Sequence, residues 1–220
     1  MQSDRMDKIP RPYLCLVTDR NLCPPNELDE RIEYAVKGGV DIIQVREKDL
    51  EDNEVAILTK RIKPPIQDKA IITVNSNINA AVSSEADGIH LPEDFMSVKE
   101  ARTLLPPNML VGKSVHDFSN AILQSRSGSD YIILGTIFPT SSKPGVNTIG
   151  LSMVTEISKH VTCPLLAIGG INPTNAKSTI SAGADGIAVI SSILANSNPE
   201  KAARTLKTSM VEAWQAKRTI

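Results

Sequence analysis

"AGADGIAVI", residues 182–190, is a turn of small residues, then an aspartate, then an aliphatic run. Three other stretches repeat that order: "GGVDIIQV" at 38–45, "EADGIHL" at 85–91 and "SGSDYIILG" at 127–135. Each sets an aspartate (Asp41, Asp87, Asp130 and Asp185) at the turn into an apolar run of strand length. Each gap between these aspartates is long enough for two strand–helix units. Within the gaps lie runs that lack the aspartate: "YLCLVTD" at 13–19, "AIITV" at 70–74, "MLVGKSV" at 109–115 and "PLLAIGG" at 164–170. Runs that are apolar nearly throughout belong to strands buried on both faces. The intervening segments 28–36, 98–105, 151–157 and 202–214 carry helical patterning. The pairs Pro24-Pro25, Pro64-Pro65 and Pro106-Pro107 are expected to punctuate connections. Eight strands alternating with helices predict an α/β fold, a single (β/α)8 (TIM) barrel over residues 13–220, with 1–12 as an N-terminal extension. An open doubly wound sheet is the rival, and the lack of a dinucleotide fingerprint weakens it.

The 220 residues carry 24 basic and 25 acidic side chains, a net charge of −1. That balance gives no electrostatic reason to expect a nucleic acid or an anionic membrane as partner. Aromatic residues make up 3% of the chain, too few for base-stacking platforms. Cys15, Cys23 and Cys163 lack metal-type spacing, and two of them sit in apolar runs, where cysteine acts as a small hydrophobe. The polar start "MQSDRMDKIP" and the lack of a membrane-length apolar run lead to the expectation of a soluble, cytoplasmic protein. Barrels of this size commonly pair through helix faces, so a homodimer is expected on that general ground alone. Trp214, in the last helical segment, is open to packing on the barrel or on a partner.

In such a barrel the working residues sit where strands end. The second strand ends in Gln44, Arg46 and Lys48 at alternating positions, so all three share one side. The third ends at Asn75-Ser76. The fourth ends at His90, either a ligand group or a satisfied core residue. The fifth carries Ser114 and His116 on one face, and histidine suits proton transfer near neutral pH. A capping role for His116 beside Asp117 is the bland alternative. The sixth runs into "GTIFPTSSKPG", which gathers Thr140, Ser142 and Lys143. The seventh ends in Gly169-Gly170 and the eighth in Ile190-Ser191, each followed by a helix. Glycines admit close backbone approach, helix starts favour negative charge, and the loops after strands seven and eight are the common phosphate site of barrels. A ligand bearing a monophosphate is expected at 169–171 and 190–192.

Taken together, "LVTDR", "GVDIIQVREKD", "ADGIHL", "GTIFPTSSKPG", "AIGGINPTNA" and "AGADGIAVIS" resemble the thiamine phosphate synthase and thiazole tautomerase (TenI-type) family, from about residue 13 to 200. The resemblance implies a barrel of the thiamine phosphate synthase type and a thiazole phosphate ligand. The phosphate would be held by Gly170 and the Ile190-Ser191 backbone, with Thr140 and Ser142 nearby.

The family has two branches. A synthase joins a hydroxymethylpyrimidine diphosphate to the thiazole phosphate and releases pyrophosphate, with Mg2+ neutralising the leaving group. Its pattern holds that ion through an Asn-Asp pair after the third strand and an aspartate in a His-Leu-Gly-Gln-x-Asp motif after the fourth. Here the pair reads Asn75-Ser76. The motif reads "HLPEDF", with Phe95 at the aspartate's place and Asp94 one position off. A tautomerase moves protons on the thiazole ring without metal or other cofactor. On these departures the expectation is a thiazole tautomerase with His116 as proton shuttle. Gln44, Arg46, Lys48, Ser114 and Lys143 match positions that hold the pyrimidine diphosphate in synthases, so the synthase is the alternative. A thiazole-phosphate binding protein without turnover is the second alternative.

Overall fold

The computed structural model describes residues 6–66, 69–140 and 145–217. Strands β1 (Tyr13–Val17), β2 (Ile42–Val45), β3 (Ile71–Asn75), β4 (Gly88–Leu91), β5 (Leu110–Val115), β6 (Tyr131–Leu134), β7 (Leu165–Ile168) and β8 (Gly186–Val189) pair in parallel in chain order. β8 returns to β1, with Cys15 opposite both Ile42 and Ala188, so the sheet closes on itself. Closure leaves no strand edge unpaired. Helices α1 (Leu28–Lys37), α2 (Asp52–Ile66), α3 (Ile78–Ser83), α4 (Val98–Leu104), α5 (Phe118–Arg126), α6 (Gly150–Ser158), α7 (Ala176–Ser181), α8 (Ser191–Leu194) and α9 (Pro199–Lys217) fill the connections and the chain end. This is the (β/α)8 barrel that the repeat predicts.

Alternation along each strand sorts two apolar layers. Tyr13, Cys15 and Val17 point inward and meet Ile42, Ile71, Leu110, Tyr131, Ile133, Leu166 and Ala188 on the barrel axis. Leu14 and Leu16 point outward into the larger layer shared with the helices. Tyr131 fills the space that a side chain at residue 112 would need. A Cβ there would lie 2.1 Å from its ring, so Gly112 lets the tyrosine cross the axis. Met6 closes the barrel floor, its carbonyl accepting from the Tyr13 hydroxyl at 3.0 Å.

The repeated aspartates explain the closure. Each odd strand begins where its even neighbour is still a turn, so one N–H per pair has no ladder carbonyl to meet. The aspartate supplies the acceptor. Asp41 accepts from Leu14 N at 2.7 Å, Asp87 from Ile72 N at 2.8 Å, Asp130 from Val111 N at 2.6 Å and Asp185 from Leu165 N at 2.9 Å. The backbone N–H of each aspartate donates back to the carbonyl of the same residue, at 2.8–2.9 Å. Basic groups cover the carboxylates from outside: Lys207 on Asp41, Arg102 on Asp130 and Arg11 on Asp185.

One expectation changes in detail. Pro64 and Pro65 lie inside α2, in its last turn, and not in the following connection. α2 extends past them because a proline costs a helix the bond to a carbonyl four residues back, a loss tolerable where the helix is ending. Trp214 is half-buried against the helix-layer core of its own chain. Among the described residues no helix is long and apolar enough to cross a membrane.

Removing a buried carboxylate strands a buried donor. Asp130→Ala leaves the Val111 N–H unmet and takes the ion pair from Arg102, whose guanidinium keeps its bonds to the Met109 and Gly128 carbonyls, and we expect it to lower unfolding stability by about 2–3 kcal/mol in denaturant titration. Asp130→Asn keeps one acceptor and should lose less. Equal losses would contradict the clip.

Candidate active site

The C-terminal strand ends open into a cavity of about 1160 Å³. A drug-sized ligand needs roughly 300–1,000 Å³, so the space suits more than one small molecule at once. Of the residues singled out from sequence, Gln44, Arg46, Lys48, Asn75, His90, Ser114, His116, Thr140, Gly169, Gly170, Ile190 and Ser191 all line it. Ser142 and Lys143 lie outside the described residues.

The lining divides by position around the barrel. β2 ends at Val45, so Arg46 and Lys48 reach the cavity from the loop after it and not by strand alternation, and among the described residues neither has an ion-pair partner. Arg46 is anchored through its backbone N–H, which donates to Thr18 Oγ1 at 2.9 Å. Between them Glu47 is buried and binds Arg20, leaving Oε1 without a donor. Gln44 is 4% exposed. Its Nε2 donates to Asn75 Oδ1 at 3.0 Å, while its buried Oε1 has no partner and requires one.

The β6, β7 and β8 loops form one rigid unit beside this cationic strand end. Phe138 N donates to Gly169 O at 3.0 Å and Ile137 N to Ile168 O at 2.9 Å. Ser192 Oγ donates to Ile171 O at 2.6 Å, and Asn175 Nδ2 to Gly170 O at 3.0 Å. Gly170 has φ +63, and a Cβ there would meet Pro139 O at 2.3 Å. The glycine is therefore required by packing against the β6 loop as well as by any ligand. α8 is four residues long, so its contribution to anion binding is its first N–H groups and not a helix dipole.

Opposite, β3 to β5 present a mostly uncharged wall. His90 is 1% exposed, with Nε2 2.8 Å from Ser114 Oγ and Nδ1 3.3 Å from Tyr131 Oη. Burial, with the positive charges of Lys113 and Arg46 adding, pushes His90 down to about 3. It is a neutral, satisfied histidine that holds Ser114. His116 Nδ1 lies 2.6 Å from Glu93 Oε2, and Glu93 Oε1 accepts from Asn120 Nδ2 at 2.5 Å. Lys113 is buried on the outer side of β5, where its Nζ donates to the carbonyls of Pro92, Glu93, Phe95 and Met96 and fixes the β4–α4 loop. Burial lowers the Lys113 pKa, and the charges of Glu93 and Asp94 work against that shift. Glu93, Asn120 and Lys113 were not foreseeable from spacing. They meet only because β4 and β5 pair.

The donors near the β3 and β4 ends do not fit a protein-held Mg2+ site. Ser76 Oγ accepts from Asn75 Nδ2, Asn75 Oδ1 accepts from Gln44, and both Glu93 oxygens are engaged. Asp94 is left as a single exposed carboxylate, and among the described residues no three acidic, histidine or cysteine groups converge.

A (β/α)8 barrel with a large polar cavity at its C-terminal strand ends has the architecture of a barrel enzyme. The chain belongs to the thiamine monophosphate synthase (TMP-TENI) family, whose model matches residues 14–193. It is 37% identical to the thiamine-phosphate synthase of Shouchella clausii over 204 residues, covering 92% of this chain and 98% of that one. It is also 37% identical to the thiamine-phosphate synthase of Clostridium novyi over 195 residues, covering 88% and 96%. The thiamine phosphate pyrophosphorylase of Pyrococcus furiosus superposes with a TM-score of 0.83 at 32% identity, over 91% of this chain and 96% of that one.

These relatives overturn the tautomerase expectation: near full-length relatives carry the synthase name. The departures at Ser76 and Phe95 were the wrong discriminator. They alter metal donors at two loop positions and leave the cationic strand end and the glycine loops in place.

The buried imidazole gives the protein a defined acid limb. Unfolded, His90 titrates near 6.5, so between that value and about 3 only the unfolded chain takes up its proton. Its contribution to stability is full above pH 6.5 and falls by up to about 1.4 kcal/mol per unit as pH drops toward 3. His90→Gln removes this slope. The stability gap between wild type and variant, measured by urea unfolding, should narrow by about 2–3 kcal/mol from pH 7 to 4.5. A constant gap would contradict a neutral His90.

Proposed function

We propose that this chain is a thiamine phosphate synthase, joining hydroxymethylpyrimidine diphosphate to a thiazole phosphate. The observation that carries the reading is the pairing, in one cavity, of two cations just after β2, without ion-pair partners among the described residues, with the glycine loops of β7 and β8. A substrate pair bearing a diphosphate and a monophosphate needs two such places. The cavity's size supports simultaneous occupancy.

In this reading Arg46 and Lys48, with Lys143, hold the diphosphate, and the backbone at Gly169, Gly170, Ile190 and Ser191 holds the monophosphate, with Thr140 and Ser142 beside it. In the closed barrel β7, β8, β1 and β2 are consecutive, so both anions lie on one half. The two rings then extend toward Gln44, Asn75, Ser114 and His116. The unpartnered Oε1 of Gln44 is an acceptor suited to an amino group on the pyrimidine. The thiazole nitrogen lone pair attacks the pyrimidine methylene carbon, a C–N bond forms, the C–O bond breaks and pyrophosphate leaves with the electron pair. The protein's part is to hold both substrates in line and stabilise charge on the departing oxygens.

Incubation of the purified protein with both substrates and Mg2+ should yield thiamine phosphate and pyrophosphate in equal amounts. Binding of thiazole phosphate with no product would contradict the reading. Arg46→Ala should raise KM for the pyrimidine diphosphate by about 10- to 100-fold, the value of a charged hydrogen bond, and leave KM for the thiazole phosphate nearly unchanged. Gly170→Ala should do the reverse, weakening the thiazole phosphate by at least about tenfold.

A further inference from the structure

The β4–α4 loop holds Glu93 from three directions. Its carbonyl accepts from buried Lys113 Nζ at 3.1 Å, its Oε1 from Asn120 Nδ2 on α5, and its Oε2 meets His116 Nδ1 at 2.6 Å. Glu93 belongs to the loop after β4 and His116 to the end of β5, so neighbouring strand ends bring them together. Both line the cavity, on the half away from the cationic strand end.

We propose that Glu93 is a positioning residue, one that fixes His116 with its ring proton on Nδ1 and its bare Nε2 turned toward the substrates. A carboxylate only accepts, so the ring nitrogen facing it carries the proton, and the hydrogen bond at one nitrogen sets the state of the other. The same logic orients the histidine of catalytic triads, where a carboxylate holds the tautomer and takes no proton itself. Asn120 keeps the carboxylate from rotating away, and Lys113 keeps the loop from moving. His116 thereby offers a directed acceptor where the rings of the proposed substrates meet. That catalytic consequence rests on the synthase reading; the tautomer does not.

Nitrogen-15 spectra of labelled protein at a pH of about 8, above the ordinary histidine range, resolve the two ring nitrogens. The His116 signals can be assigned by their loss in His116→Gln. Wild type should show a protonated Nδ1 and a bare Nε2. A protonated Nε2 in the wild type overturns the proposal without any variant. In Glu93→Ala the Nδ1 preference should disappear, with kcat down by about 100-fold, as expected for a misplaced group near the reacting centre. Both KM values should stay within about threefold, because the anion sites are untouched. Glu93→Gln keeps an acceptor oxygen and should keep the tautomer and most of kcat. A Gln variant no better than Ala, or an Ala variant with unchanged spectra, overturns it. If the wild type makes no thiamine phosphate the synthase reading falls, and the spectra still decide the positioning.

Discussion

A carboxylate that accepts the first free N–H of the preceding strand closes each quarter of this barrel. The geometry is the same at Asp41, Asp87, Asp130 and Asp185, and the N–H of each aspartate returns the bond to the same residue. A parallel strand entering from a turn cannot supply a ladder carbonyl at that point, and a buried unmet N–H costs roughly 1–3 kcal/mol. Four such costs would strain the end of the barrel opposite the cavity. Meeting them with side chains frees the strand ends at the other rim to carry loops chosen for chemistry.

That rim is divided. The loops after β2 and β6 to β8 present cations and close-packed backbone, while the ends of β3 to β5 and their loops present amides, hydroxyls, the carboxylates Glu93 and Asp94, and two histidines whose orientation other residues fix. His90 is kept neutral by burial and holds Ser114. His116 is held by Glu93, which is itself pinned by Asn120 and by the loop that Lys113 gathers. Buried polar groups of this kind act as a support behind the lining, and their rigidity comes from pairing across neighbouring strand ends.

Much of this could be read in the chain. The four-fold aspartate repeat and the uniformly apolar runs give strand number, order and closure. Gln44, Arg46 and Lys48, with the glycines after β7, point to the cavity lining without coordinates. What could not be read was contact between elements: in the sequence Lys113 is a strand residue like its neighbours until β4 and β5 pair, and Glu93 stands among loop residues with nothing local to mark it. The weighing of activities failed for a related reason. Ser76 and Phe95 are single loop positions, whereas the likeness to the named synthases runs over nearly the whole chain. The role assigned to the glycines also shifted, since Gly170 is demanded by Pro139 O as much as by a ligand.

The division of the rim is tested most directly by a crystal structure of the protein soaked with thiazole phosphate and pyrophosphate together. The account predicts the monophosphate on the Gly170 and Ser191 backbone, pyrophosphate between Arg46 and Lys48, and the thiazole ring directed at the β3–β5 wall within reach of His116 Nε2. Both anions at one place, or the ring turned away from that wall, would contradict it.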